Sequence, residues 1–139
     1  MSSGSSQVPD VRIGSVVFDC ADPAALMAFW REATGFEVGR EGPDWCILKD
    51  PTGTQPKLGF QRVPEAKVVK NRVHLDLFSS DEQAEAARIE ALGATRLWVS
   101  EDPEDPFILL GDPEGNEFCV VRVRQQSVAS GSVPGNEEG

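Results

Sequence analysis

The chain repeats itself, and that repeat limits what it can fold into more than any other feature. Arg12-Ile-Gly-Ser-Val-Val-Phe-Asp19 has the β-branched and aromatic content of a strand. Asn71-Arg-Val-His-Leu-Asp-Leu-Phe78 has the same character, and Ser15 falls opposite His74 at an offset of 59. Each run leads into a helix start. Asp22-Pro23 gives an N-cap and a proline at the first helical position. Ser80 with Gln83, or Ser79 with Glu82 one register earlier, gives a capping-box pattern for the second helix. Leu26, Phe29, Trp30 and Ala33 form an amphipathic stripe that ends at Gly35. Ala86, Ile89 and Leu92 form a thinner, alanine-rich one that stops at Gly93.

Short strand-like runs follow each helix. They are Phe36 to Gly39, Trp45 to Leu48 and Lys57 to Gln61 in the first half, and Thr95 to Val99, Phe107 to Leu110 and Glu117 to Val123 in the second. The turns Asp50-Pro-Thr-Gly53 and Asp112-Pro-Glu-Gly115 precede the last strand of each half, 62 residues apart. Such matched punctuation predicts an α+β fold of two tandem β-α-β-β-β units, one over 11–62 and one over 71–124. A chain of 139 residues suits a single domain over 11–124. Residues 1–10 and 125–139, rich in Ser, Gly and Pro with little to bury, are expected to be flexible.

Alternation along the strands sorts side chains into faces. Val16, Phe18 and Cys20 share one side of the first strand, and Val73, Leu75 and Leu77 one side of its counterpart; these should pack on the helices. The opposite sides hold Ser15, Val17 and Asp19, and His74, Asp76 and Phe78. In the last strands Glu117, Cys119 and Val121 lie opposite the core-facing Phe118 and Val120, matching Lys57, Gly59 and Gln61. A polar and apolar mixture pointing away from the helices lines a cavity or meets water.

Charge narrows the function. Asp and Glu number 23 against 13 Lys and Arg, a formal balance of -10. That field repels nucleic-acid backbones and anionic membranes, and fits either plain solubility or a cationic ligand. No run approaches the roughly 18 apolar residues of a membrane span, and Met1 to Asp10 lacks the pattern of a secretory signal. Cys20, Cys46 and Cys119 form an odd, widely spaced set that suits a reducing cytoplasm rather than a disulfide framework. A glycine-rich phosphate loop, a G-x-S-x-G elbow and an H-E-x-x-H helix are all missing from the sequence.

Particular runs resemble a known family. The paired units, Gln61-Arg-Val-Pro-Glu65 with Lys70-Asn-Arg-Val-His-Leu-Asp-Leu77, and Asp112-Pro-Glu-Gly-Asn-Glu-Phe-Cys-Val-Val121 resemble the vicinal oxygen chelate (VOC) superfamily. The likeness is to its glyoxalase-like, bleomycin-resistance-type members. It implies a curled mixed sheet around a shared cavity, often completed across a homodimer. It also implies a divalent metal held by up to four His, Glu or Gln side chains. The corresponding positions are Ser15, Gly59 (or Gln61 if the register slips by two), His74 and Cys119, with Glu117 the alternative to Cys119. Only His74 matches well. A shell of one imidazole and one thiolate is too sparse and too soft for the hard or borderline cations of this chemistry. No standard metal centre and no cofactor are therefore expected, a residual divalent metal being the alternative.

The resemblance and the residues together predict a cytoplasmic, homodimeric small-molecule-binding protein. The alternative is a lyase, isomerase or dioxygenase-like enzyme, with His74 and Glu117 as its catalytic candidates. Ligand-binding candidates in the first unit are Ser15, Asp19, Trp45 and Gln61. In the second they are His74, Asp76, Trp98 and Cys119. Trp45 and Trp98 lie on middle strands, where an aromatic floors a pocket or fills the core; the sequence leaves both open. Cys119 has no basic neighbour in sequence to activate it, which favours an inert buried thiol.

Overall fold

A computed structural model describes residues 8–123 of the chain. Residues 1–7 and 124–139, which include most of the expected N-terminal flexible segment, all of the C-terminal one and the last residue of the expected domain, lie outside the described residues; Val8 to Asp10 is exposed and forms neither helix nor strand. The first unit comprises β1 (Ser15–Cys20), α1 (Pro23–Thr34), β2 (Glu37–Arg40), β3 (Trp45–Lys49) and β4 (Lys57–Arg62). The second comprises β5 (Leu75–Ser79), α2 (Glu82–Ala91), β6 (Thr95–Val99), β7 (Phe107–Gly111) and β8 (Glu117–Arg122). Each unit builds its own four-stranded mixed sheet, ordered β1-β4-β3-β2 and β5-β8-β7-β6. In both, the first strand runs parallel to the last and the other neighbours are antiparallel. Two tandem β-α-β-β-β units are what the repeat predicted.

The leading strands begin later than their composition suggested. β1 starts at Ser15 and β5 at Leu75, because parallel pairing begins only where Lys57 and Phe118 become available as partners. Arg12 to Gly14 and Asn71 to His74 therefore precede the strands. Val73, expected on the core side, stands exposed. The second helix start also differs from expectation. Neither Ser80 nor Ser79 caps α2; Asp81 does, its carboxylate accepting the Ala84 N–H at 3.0 Å. Ser79 is committed to β5, and its hydroxyl accepts from the Asp81 N–H instead. Aspartate is at least as good a cap as serine, so the helix begins one residue later.

α1 follows the sequence closely. Asp22 caps it, Pro23 opens it, and Gly35 closes it with φ 78°, a left-handed conformation that suits glycine. Its stripe of Leu26, Phe29, Trp30 and Ala33 is fully buried, together with Met27. Trp30, with 0% exposure, packs against Phe18 at 5.3 Å and reaches Phe118 of β8 at 4.8 Å. α1 lies on β3 and β4 of its own unit, and through Phe29 and Trp30 its buried face also reaches Phe118 of the other, so one core serves both. Its indole Nε1 donates to Asp112 Oδ2 at 2.9 Å, and Asp112 is itself buried. Two further contacts fix the units together. Glu114 accepts the N–H groups of Ala21 and Asp22, while Arg88 of α2 donates to the carbonyls of Glu32 and Ala33 near the end of α1.

The contact between Trp30 and Asp112 has no counterpart in the other direction. The residue of α2 equivalent to Trp30 is Ile89, which has no side-chain donor. Asp50, equivalent to Asp112, is satisfied within its own turn by Thr52, Thr54 and Gln55. The Thr52 hydroxyl bond is the largest influence on Asp50 and holds its carboxyl well below the usual range, against the opposing effect of burial.

Two outcomes follow from this packing. Trp30→Ala should lower stability by about 3–5 kcal/mol in chemical denaturation, and Trp30→Phe, which keeps a ring but removes the indole donor while Glu114 and Asn116 still donate to Asp112, by about 1–3 kcal/mol. A smaller loss in the first variant than in the second would contradict the packing role. Asp50 has a depressed folded-state pKa, so its contribution is present above the ordinary aspartate value of 3.8 and is lost as pH falls further. Melting temperature followed downwards from pH 5 should therefore fall less steeply in Asp50→Asn than in the parent chain.

Candidate functional site

Each sheet turns one face to a helix and leaves the other open. On the helix side of β3 lie Cys46 and Leu48, both buried; on the open side lie Trp45, Ile47 and Lys49. Strand register arranges the open-face residues into rows. In the first unit Asp19, Gln61 and Trp45 stand side by side across β1, β4 and β3. The row before it is Val17, Gly59 and Ile47. In the second unit one row runs Asp76, Cys119, Leu109 and Trp98, and the other runs Phe78, Val121 and Phe107. By the repeat, the polar row of one unit is equivalent to the apolar row of the other.

Both tryptophans with an open parity lie on these open faces and not in the core. Trp45 is 41% exposed and carries the Arg40 guanidinium 4.4 Å from its ring centroid. Trp98 is 52% exposed and leans on Phe107 at 5.5 Å. A cleft of about 270 Å³ lies between the units, with Val17, Asp19 and Phe18 on one side and His74, Leu75 and Glu117 on the other. Asp19 and His74 thus share a cleft although they belong to different units. Ser15 does not line it; it lies beside Lys57 at the start of the first sheet.

The polar groups of the second unit form a compact cluster. His74 Nε2 lies 3.2 Å from Asp76 Oδ1, both side chains being half-exposed. Cys119 is the cross-strand partner of Asp76, and one ligand-type atom from each of the three residues lies within 4.8 Å of the others. Burial and then the neighbouring Asp76 carboxylate push the Cys119 thiol up to about 11, so it is a poor nucleophile at neutral pH. Glu117 accepts from Lys70 Nζ at 2.6 Å, and this bond holds its carboxyl below the usual range. Glu117 is therefore an anion tied to a cation, ill placed to supply a proton.

The metal positions implied by the resemblance do not fit a shared metal centre. Gly59 has no side chain, and a Cβ built there would lie 3.2 Å from Val17 Cγ2. Gln61, the alternative, sits in the Asp19 and Trp45 row, two residues further along β4. The first unit thus supplies at most a serine hydroxyl and an amide, while His74 and Cys119 stand in the second. Sequence reasoning missed Lys70 as the partner of Glu117, Arg40 as a cover for Trp45, and Phe107 and Leu109 as open-face residues. The last two were readable from strand parity; the first two depend on loop geometry that no spacing encodes.

Comparison with known proteins agrees with this architecture. The glyoxalase-like domain family matches residues 15–121. No curated protein matches the chain. Among solved structures, a glyoxalase/bleomycin resistance protein/dioxygenase family enzyme from Burkholderia phytofirmans PsJN superposes with a TM-score of 0.67 at 20% identity, covering 81% of this chain and 98% of its own. Lactoylglutathione lyase from Agrobacterium tumefaciens gives 0.61 at 18% identity, covering 82% and 95%. A bleomycin-binding protein from Streptomyces verticillus, complexed with copper(II)-bleomycin, gives 0.60 at 18% identity, covering 83% and 98%. At these identities the neighbours share the fold, while the family match spans both units and every strand between them. The chain belongs to the glyoxalase-like domain family, within the VOC superfamily.

Proposed function

We propose that this chain is a small-molecule-binding protein of the glyoxalase/bleomycin-resistance type, acting through the open faces of one domain over 11–124 and without a shared four-ligand metal centre. The observation that carries the reading is the placement of Trp45 and Trp98. Both are exposed on open sheet faces, each in a row that also holds an aspartate, Asp19 or Asp76. An aromatic surface separated by one or two strands from a carboxylate on the same face suits an amphiphilic ligand that is planar, cationic or both, one that at Trp45 takes the place of Arg40. The second unit favours a cation further, with twelve acids against three bases between Leu75 and Arg122. The neighbour that holds copper(II)-bleomycin offers a precedent for small-molecule binding on this fold.

The reading includes a cytoplasmic homodimer. A second copy would cover Val17 and Phe78, which stand exposed on the open faces, and three free, buried cysteines suit a reducing compartment. No helix among the described residues is long and apolar enough to cross a membrane. The alternative, a VOC-type enzyme, rests on the pair of His74 and Asp76 at 3.2 Å, which has the reach of a proton-transfer dyad. Glu117 adds little to it while Lys70 holds that carboxylate ionised.

Tryptophan fluorescence of chelator-treated protein, titrated with planar aromatic and glycopeptide cations, tests the reading. Saturable quenching is expected, weakening as salt rises because the attraction is screened. Two exposed charges worth about 0.2–1 kcal/mol each predict that Asp19→Asn with Asp76→Asn weakens binding roughly two- to thirtyfold. Neutralising Glu101, Asp102, Glu104 and Asp105, which lie on an exposed loop, should leave affinity within about twofold. No saturable response from any cation, together with turnover of a 2-oxoaldehyde–thiol adduct that His74→Ala abolishes, would establish the enzymatic alternative instead.

A further inference from the structure

We infer that the second unit alone carries an open site for a thiophilic divalent cation, zinc in the first instance, ligated by His74 Nε2, an Asp76 carboxylate oxygen and Cys119 Sγ. The proposal goes beyond ligand binding by the open faces and does not depend on it. It rests on a disagreement between this chain and the arrangement its family resemblance implies. In that arrangement the ligands come from both units. Here Gly59 contributes no side chain, a Cβ there would meet Val17 Cγ2 at 3.2 Å, and Ser15 offers only a hydroxyl, so the first unit brings no strong ligand to the shell. The second unit carries a donor, Asp76, at a position that the resemblance does not use.

Strand geometry explains why these three residues converge. His74 and Asp76 are two apart, so both project from the same side of the chain as it enters β5. Cys119 is the register partner of Asp76 on β8 and points the same way. Their donor atoms lie within 4.8 Å of one another, and the His74 and Asp76 atoms are already 3.2 Å apart. A tetrahedral zinc with bonds of about 2.0–2.3 Å sets its ligand atoms roughly 3.3–3.8 Å apart, so side-chain rotation alone closes the shell. Imidazole nitrogen, carboxylate oxygen and thiolate sulfur are all zinc ligands, and the sulfur discriminates against magnesium and calcium.

The surroundings fit a site with one position left for water or ligand. Cys119 is buried and backs the cluster, while His74 and Asp76 are half-exposed and give access from the solvent side. Binding replaces the Cys119 S–H bond by an S–Zn bond and releases the proton to water. One thiolate and one carboxylate then balance the dication, with His74 neutral. Glu117, also on the open face, stays out of the shell because Lys70 engages it.

Full-length, metal-free protein titrated with cobalt(II) tests the assignment. The expected result is one cobalt per chain with a thiolate-to-cobalt charge-transfer band in the near ultraviolet, displaced by zinc. Cys119→Ser should abolish the band. His74→Ala and Asp76→Asn should each weaken zinc binding at least about tenfold by calorimetry, while Ser15→Ala, at the position a two-unit shell would use, changes it less than about twofold. Should Cys119→Ser fail to fold, Cys119→Ala, which puts no hydroxyl into the buried position, supplies the second variant, and the band must be missing there too. Absence of the band, its survival in folded Cys119→Ser or Cys119→Ala, or equal weakening in Ser15→Ala would each overturn the proposal. The fluorescence titration uses metal-free protein, so failure of ligand binding and failure of the metal site are separate results.

Discussion

The hydrogen bond from Trp30 to Asp112 stands at the junction on which the arrangement of the two units depends. It crosses from the first helix to the last turn of the second unit, where the buried Asp112 carboxylate also accepts from Glu114 and Asn116 of its own turn. The indole also packs on Phe118, so the same side chain joins the two sheets through apolar contact. Around this point Glu114 caps the entry to α1 and Arg88 reaches the carbonyls at its other end. Among the described residues the two sheets share no strand pairing. Their relative placement therefore falls to side chains gathered on α1, and the cleft holding Asp19 and His74 is a consequence of that placement.

This arrangement also explains which parts of the molecule were legible in the sequence. Elements decided by local chemistry could be read directly. Asp22, Pro23 and Gly35 bracket α1 because a cap, a fixed φ and a left-handed residue act within a few positions of themselves. The stripe through Trp30 told which way the helix faces. Where two local solutions compete, the reading failed: Asp81 displaced the serines because Ser79 had already been claimed by a strand. Strand starts were misjudged for a related reason, since only the position of the partner strand decides where pairing begins.

The candidate site was legible in part. Parity placed Asp19, His74, Asp76 and Cys119 on the open side of their strands, and the register shows why Asp76 and Cys119 meet. Parity could not decide for Trp98, because an irregularity in β6 between Arg96 and Trp98 shifts the alternation, nor for Trp45, which alternates regularly with Cys46 and Leu48 but whose buried side only the assembled fold reveals. Nor could spacing show that Lys70, in the link between the units, would reach back to Glu117 and remove it from proton chemistry. Such long-range pairings need the assembled fold.

The exchange of rows between the two units has a consequence for recognition. A duplicated scaffold ordinarily offers a guest two equivalent halves and two equivalent ways to lie down. In this chain the strand positions that carry Asp19, Gln61 and Trp45 in one half carry Phe78, Val121 and Phe107 in the other. The repeated backbone therefore carries two chemically different halves, and a ligand bound as proposed would meet a carboxylate row on one and phenylalanines on the other, so its two orientations would differ in energy.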